Sequence, residues 1–109
     1  MNREWHACSQ TNVLACIDYA AHKYAEPVAD LERVAWCESR DEPTISNGVD
    51  DGLFEFAPAT FAATAYGQHW IYSARWNALA AAWAWAHGWG PSYAVRAPYH
   101  WSSNQWECV

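Results

Sequence analysis

Positive charge is scarce in this chain. Lysine and arginine together number 6 against 12 aspartates and glutamates, a formal net charge of −6. A nucleic-acid binder needs a basic stripe to displace counterions from phosphates, so nucleic acid is excluded as an expected partner. Long apolar runs are missing too. No stretch approaches the ~20 consecutive apolar residues that span a bilayer. The N-terminus, MNREWHACSQ, is polar and lacks the apolar core of a secretory signal. Zinc-type cysteine spacing is absent: there is no CxxC, and His6, His22, His69, His87 and His100 are scattered. The lone His6-x-Cys8 pair is too little to hold a metal, and neither a metal nor an organic cofactor is expected. Internal repeats and low-complexity segments are also missing, apart from the alanine bias of the stretch from Ser73 to His87.

What is there is one domain's worth of chain. Its 109 residues are 52% apolar, enough to bury roughly two thirds of the unfolded surface around a single core. Nine tryptophans and six tyrosines are the main compositional anomaly. Each indole is a candidate for the core, because aromatics bury large areas. Tryptophan usually keeps an edge exposed, however, so some are expected to line a groove. Four cysteines, Cys8, Cys16, Cys37 and Cys108, allow three pairings. They read either as two disulfides formed in an oxidising compartment or as four reduced, buried thiols.

The apolar spacing places the elements. Val13, Leu14, Ile17, Ala20, Ala21 and Tyr24 recur at about 3.6 residues and predict a helix over Thr11–Ala25, stopped by Glu26-Pro27. A second helix is expected to start at Asp30, an N-cap residue type, and to carry Glu38 in its last turn. Asn47-Gly48 is a hairpin signal, with Thr44-Ile45-Ser46 and Leu53-Phe54-Glu55-Phe56 as short strands on either side. Pro58 opens a helix over Ala59–Ala65 that Gly67 ends. Ser73 caps the clearest helix, closed by Gly88, with Trp76, Leu79, Ala80, Trp83 and Ala86 or His87 on one stripe. The remainder, Trp89 to Val109, is irregular. Its end would fray unless pinned, and Cys108 is the obvious pin.

Six of the twelve acids fall between Trp36 and Phe56: Glu38, Asp41, Glu42, Asp50, Asp51 and Glu55, against Arg40 alone. Such a stretch is either a solvated acidic loop or a set of carboxylates arranged for chemistry. Cleavage of a glycosidic bond needs one carboxyl kept protonated near neutral pH, and commonly a second that stays ionised. Glu38 has the dry setting, beside apolar Val34, Ala35 and Trp36 and at a helix C-terminus, where the dipole raises a carboxyl pKa. Asp50 and Asp51 lie between Gly48 and Gly52, in a turn open to water.

Val34-Ala35-Trp36-Cys37-Glu38-Ser39 resembles the A-x-C-E-S opening of resuscitation-promoting-factor domains. The likeness continues through Asn47-Gly48, Gly52-Leu53-Phe54-Glu55-Phe56 and Pro58-Ala59-Thr60-Phe61, then Gly88-Trp89-Gly90 and a late cysteine. The segment GLFEFAPATF is also similar to the G-L-x-Q-x-x-P-x-T signature of lytic transglycosylases. In related lysozymes a D-x-G precedes the same strand, and its aspartate is the second catalytic carboxylate; Asp50-Asp51-Gly52 puts Asp50 at that position. The resemblance spans residues 28–90, more than half of the chain.

It implies an α+β, mainly helical, lysozyme-like fold with a short β-hairpin beside the catalytic helix. The whole chain would be one domain, with an extra N-terminal helix in residues 1–27, a family-matching core in 28–90 and a disulfide-pinned tail in 91–109. It further implies cleavage of the β-1,4 bond between N-acetylmuramic acid and N-acetylglucosamine in peptidoglycan glycan strands, by hydrolysis or lytic transglycosylation. Glu38 carries over as the general acid, with Asp50 or Glu55 as its helper. Trp36, Ser39, Thr60, Tyr66, Trp89 and Tyr93 are the candidate substrate-binding residues, and Phe54 and Phe56 are expected in the core. The family's cysteine pair corresponds to Cys37 and Cys108, which leaves Cys8 and Cys16 for each other.

The chain also departs from the pattern. The family's glutamine is Glu55 here, a third acid that would raise the proton affinity of Glu38, move the optimum towards acid, or replace Asp50 as partner. The tryptophan that follows C-E-S in the family is missing, with Pro43-Thr44 in that region. The expected protein is a monomer, secreted and associated with the cell wall or delivered by a phage, since no signal peptide is present. A non-catalytic lysozyme-like module, binding glycan or building a virion, is the second reading. A disulfide-stapled protein unrelated to this superfamily is the third.

Overall fold

Five helices make up the regular structure of residues 2–88, the part of the chain that the structure, a computed structural model, describes. They are α1 (Asn2–Ala7), α2 (Val13–Tyr24), α3 (Val28–Ser39), α4 (Pro58–Ala62) and α5 (Ala74–Ala86). Among the described residues there is no β-sheet, only isolated bridges, and no helix is long and apolar enough to cross a membrane.

Helix α5 forms the centre. The Ser73 hydroxyl accepts from the Trp76 N–H and caps its first turn, and Gly88 follows its end with φ 85°. The alanines that fill it allow close approach, and α2 packs along it more extensively than any other pair of helices meets. The expected single stripe is too narrow a description. Ala74, Asn77, Ala78, Leu79, Ala80, Ala81, Ala82, Ala84 and Trp85 are all buried, so the helix is covered on nearly every side. Trp85 is buried, whereas Trp83 is half-buried against His87. Around this axis lie Ile17, Leu31, Val34, Leu53, Phe54 and Phe56, all at 0–1% exposure. Full burial of each of the larger side chains contributes about 1.5–3 kcal/mol relative to leaving it in water.

The N-terminal segment is two helices rather than one. A six-residue helix has no stability of its own, and α1 buries no residue completely. It is held from outside. Trp5 lies 4.9 Å from the Tyr19 ring and 6.2 Å from the Trp76 ring. The Arg75 guanidinium sits 3.8 Å over Trp5 and donates to the Trp5 and Cys8 carbonyls at 2.9 and 3.1 Å. A Cys8–Cys16 disulfide closes the connection to α2. Cys108, the expected partner of Cys37, lies outside the described residues, as does the whole expected tail of residues 91–109.

Helix α3 begins at Val28, two residues before the expected start. Pro27 supplies the extended residue before the first turn, and its carbonyl accepts from the Leu31 N–H at 3.2 Å. Asp30 lies inside that turn and pairs with Arg33. The far end is closed by left-handed backbone at two non-glycine residues, Arg40 (φ 55°) and Asp41 (φ 62°). Left-handed backbone costs about 1–2 kcal/mol at each such residue, so the abrupt exit from α3 is held against local preference.

The expected hairpin is a tighter structure. Asp51 bridges both Ser46 and Phe56, and no strand forms over 44–46 or 53–56. The Glu55 N–H bonds back to the Gly52 carbonyl at 2.9 Å, and Glu55 itself has φ 51°, so residues 52–55 turn where a strand would extend. Helix α4 starts at Pro58 as expected but stops at Ala62, and turns continue to Gly67. A Cβ on Gly67 would come within 2.2 Å of the Ala62 carbonyl oxygen, so that turn admits glycine alone.

Candidate active site

The last turn of α3 and the 47–55 segment bring three of the expected carboxyls together. On α3 the core-facing residues are Leu31, Val34 and Ala35. Glu38 lies one turn beyond Val34 and Ala35, on the margin of that face, and is half-buried. Opposite it, a short loop is built to hold its shape. The Asn47 side-chain oxygen accepts from the Val49 and Asp50 N–H groups at 2.9 and 2.7 Å, and Gly48 takes φ 89°. The next turn is gripped from α5. Buried Asn77 accepts from the Phe54 N–H and donates to the Ile71 carbonyl, each at 2.8 Å. Gly52 fits between them: a Cβ there would meet the Asn77 Nδ2 at 2.4 Å and the Ile71 oxygen at 2.6 Å.

Glu55 is the unusual member. Its residue is 7% exposed, its backbone is left-handed, and its Oε2 is buried without a hydrogen-bond partner among the described residues. Glu38 Oε2 is in the same condition. Burial raises both carboxyls, since a charge in low dielectric is disfavoured. Glu38 is pushed up to about 8, first by desolvation and then by the charges of Glu55 and Asp50. Glu55 is pushed up to about 7 by desolvation and by Asp50 and Asp51. Repulsion between the two glutamates adds to the proton affinity of whichever ionises second. Asp50 is raised by desolvation and by Asp51, with Asn47 opposing. Asp51 itself accepts from the Tyr72 hydroxyl at 2.8 Å. At neutrality this set can offer a proton from Glu38 beside carboxylates that ionise earlier.

The other expected residues fall elsewhere. Ser39 is 1% exposed and its hydroxyl donates to the Ala35 carbonyl at 3.0 Å, so it faces the core and not the carboxyls. Trp36 is 53% exposed, but it stands two residues before Glu38, about 200° round the helix. Its ring has the Arg40 guanidinium 5.1 Å away and lines an open cleft of about 450 Å³ with Ala29, Glu32, Arg33 and Cys37. Tyr66 stacks on Trp76 at 5.9 Å and shares a hydroxyl contact with Tyr24, within the aromatic cluster that holds α1. Thr60 is half-buried on α4. Trp89 and Tyr93 lie outside the described residues. Phe54 and Phe56 are in the core.

Two contributors escaped sequence reasoning. Asn77 looked like one polar residue in an alanine-rich helix; its signal was its place near the N-terminal end of the most apolar element, where an unpaired amide would be costly. Tyr72 belongs to a loop with no motif, and nothing in the sequence distinguished it. No protein-family model, curated protein or solved structure matches this chain.

Proposed function

We propose that the protein cleaves the glycan strands of peptidoglycan at the β-1,4 bond between N-acetylmuramic acid and N-acetylglucosamine, with Glu38 as general acid, on a lysozyme-like fold. The observation that carries this reading is the Glu38–Glu55 pair: a half-buried and a buried glutamate, each with a buried, unpartnered oxygen, one of them on strained backbone. An unpaired buried carboxyl weakens a fold, and strain of this kind concentrates where a site needs it.

In the proposed reaction Glu38 gives its proton to the bridging oxygen as the bond from the sugar's anomeric carbon breaks. The leaving sugar departs as an alcohol, and positive charge develops on the ring that remains. Asp50, on the wetter side and steadied by Asn47, faces that charge as a carboxylate. Glu38, now ionised, takes a proton from water or from the sugar's own 6-hydroxyl as that oxygen bonds to the anomeric carbon. Water gives a new reducing end; the 6-hydroxyl gives an anhydro-muramyl end. Either way Glu38 regains its proton.

The test is digestion of purified peptidoglycan with the protein and with Glu38→Gln, from about pH 4 to 8, a span that covers the ionisations of the acid and its helper. Products are read by mass spectrometry. Anhydro ends or new reducing ends that vanish in the variant are the expected result, and an absence of products from several wall types would leave the cleavage reading without support. The second reading, a glycan-binding or virion module without turnover, is favoured by Glu55 standing where the family's substrate-binding glutamine stands. Bound glycan without product would establish it.

A further inference from the structure

Two tryptophans are strongly exposed among the described residues, Trp36 at 53% and Trp70 at 60%. A lone exposed apolar side chain needs no explanation, so the surroundings decide. Trp36 has a cation over its ring and lies round α3 from Glu38. Trp70 is placed differently. Its ring meets Tyr72 edge to face, centroids 5.7 Å apart at 64°. The Tyr72 hydroxyl in turn donates to Asp51, the neighbour of Asp50 in the acidic turn. Trp70 is therefore two contacts from the carboxyl cluster, through a side chain fixed at both ends.

The loop beneath it is tied down by its own backbone and by the aromatic cluster. The Gly67, His69 and Ser73 N–H groups bond to the Thr64, Tyr66 and Trp70 carbonyls at 3.2, 3.0 and 3.0 Å. His69, the residue before Trp70, stacks flat on Trp76 at 3.8 Å and 7°. Gly67 is packed against Ala62. An exposed ring on a loop held by such contacts has less conformational freedom for binding to remove.

We propose that Trp70, braced by Tyr72, is a stacking platform for an N-acetylated sugar ring of a glycan strand that runs from this loop across the acidic turn to Glu38. This rests on a glycan being the ligand of the carboxyl site. The flat indole matches the C–H face of a pyranose, and the carboxyls beside it accept hydroxyl and amide protons. An anionic or nucleotide ligand would be repelled by Asp50, Asp51 and Glu55.

Binding and turnover are separated by working in the Glu38→Gln protein and titrating it with tetra-N-acetylchitotetraose, a soluble β-1,4 oligomer. The Trp70 indole N–H signal should move during the titration. Trp70→Ala should weaken binding about tenfold, the equivalent of about 1.4 kcal/mol, and Trp70→Phe should recover part of the loss. The thermal midpoint should not change, because the ring is exposed. Unchanged affinity in a folded Trp70→Ala protein, or no binding of the oligomer at millimolar concentration, overturns the platform. Digestion of peptidoglycan by the native protein supplies the other axis. Trp70-dependent binding without products keeps the platform and removes the cleavage reading. Products with the same KM in Trp70→Ala keep the cleavage reading and remove the platform.

Discussion

Helix α3 carries two glutamates that hold their protons well above the ordinary carboxylate range, and they do so for different reasons. Glu32 is raised to about 7 first by a side-chain hydrogen bond with Asp18 on α2, then by burial and by the charges of Asp18 and Asp41. Glu38 is raised to about 8 first by burial, then by Glu55 and Asp50. Glu32 therefore has a neighbouring carboxyl on α2 able to share its proton. The Glu38 proton has no acceptor among the described residues and sits beside an oxygen with nothing to bond. A raised pKa therefore does not by itself mark a site. A proton held by an acceptor is structure, and a proton held by dryness is available for transfer.

The sharpest way to break this contrast is to neutralise each glutamate in turn. Glu38→Gln should lower glycan cleavage by about 10²–10⁴-fold, the usual contribution of a positioned proton donor. Glu32→Gln should leave the product yield unchanged, because its amide can still donate to Asp18. Equal losses in the two variants, measured by product release from peptidoglycan, would show that both clusters merely support the fold.

A second test acts on the scaffold. Gly52→Ala forces a Cβ against Asn77 and the Ile71 carbonyl at a backbone φ of 87°. Left-handed strain and overpacking together should cost about 3 kcal/mol, seen in denaturant unfolding. Gly48→Ala, with φ 89° but open space around it, should cost about 1–2 kcal/mol, the strain alone. If Gly52→Ala costs no more than Gly48→Ala, the turn bearing Glu55 is not clamped by α5. The Asp18–Glu32 link, between α2 and α3, should survive both changes.

How far the sequence exposed this arrangement depends on what each element rests on. The α2, α3 and α5 helices were legible because their apolar spacing is regular and their ends carry Pro27, Ser73 and Gly88. Glu38 was legible because helix position and apolar neighbours are local properties. Helix α1 was not: it exists through Trp5, Arg75 and a disulfide, contacts made with residues far along the chain. The hairpin was misread because Asn47-Gly48 between two short apolar-rich runs signals one, while Gly52 and the left-handed Glu55 fold residues 52–55 into a turn that Asn77 closes. Ser39 and Trp36 belong to the same short segment as Glu38, yet a helix rotates by about 100° per residue. The motif is a line of text, and only one of its faces reaches the carboxyls.

The protons themselves set a stability profile. Glu32, Glu38 and Glu55 each have a folded pKa raised above the ordinary glutamate value of 4.5. The native state therefore binds protons that the unfolded chain releases, and stability is greatest at acid pH. It is fully present below about 4.5 and is lost as pH rises through about 7 for Glu32 and Glu55 and about 8 for Glu38. The thermal midpoint should fall by several degrees between pH 5 and pH 8. Glu38→Gln should flatten that fall, gaining stability at the proposed site. A midpoint that rises over this range would mean that the glutamates are ionised in the folded protein.

The smallest effect concerns Glu55. The Glu55 charge is the second cause of the raised Glu38 pKa, after burial. Glu55→Gln removes the charge and keeps the shape, so Glu38 should release its proton more readily. The alkaline limb of the cleavage profile should then move downward from about 8. It should not fall to the ordinary glutamate range, because burial, the larger cause, remains. A limb that stays in place would mean that Glu55 lies beyond electrostatic reach of Glu38 in solution. A limb that collapses to the ordinary range would mean that repulsion, not dryness, holds the proton, and the contrast between Glu38 and Glu32 would then have to be drawn on charge alone.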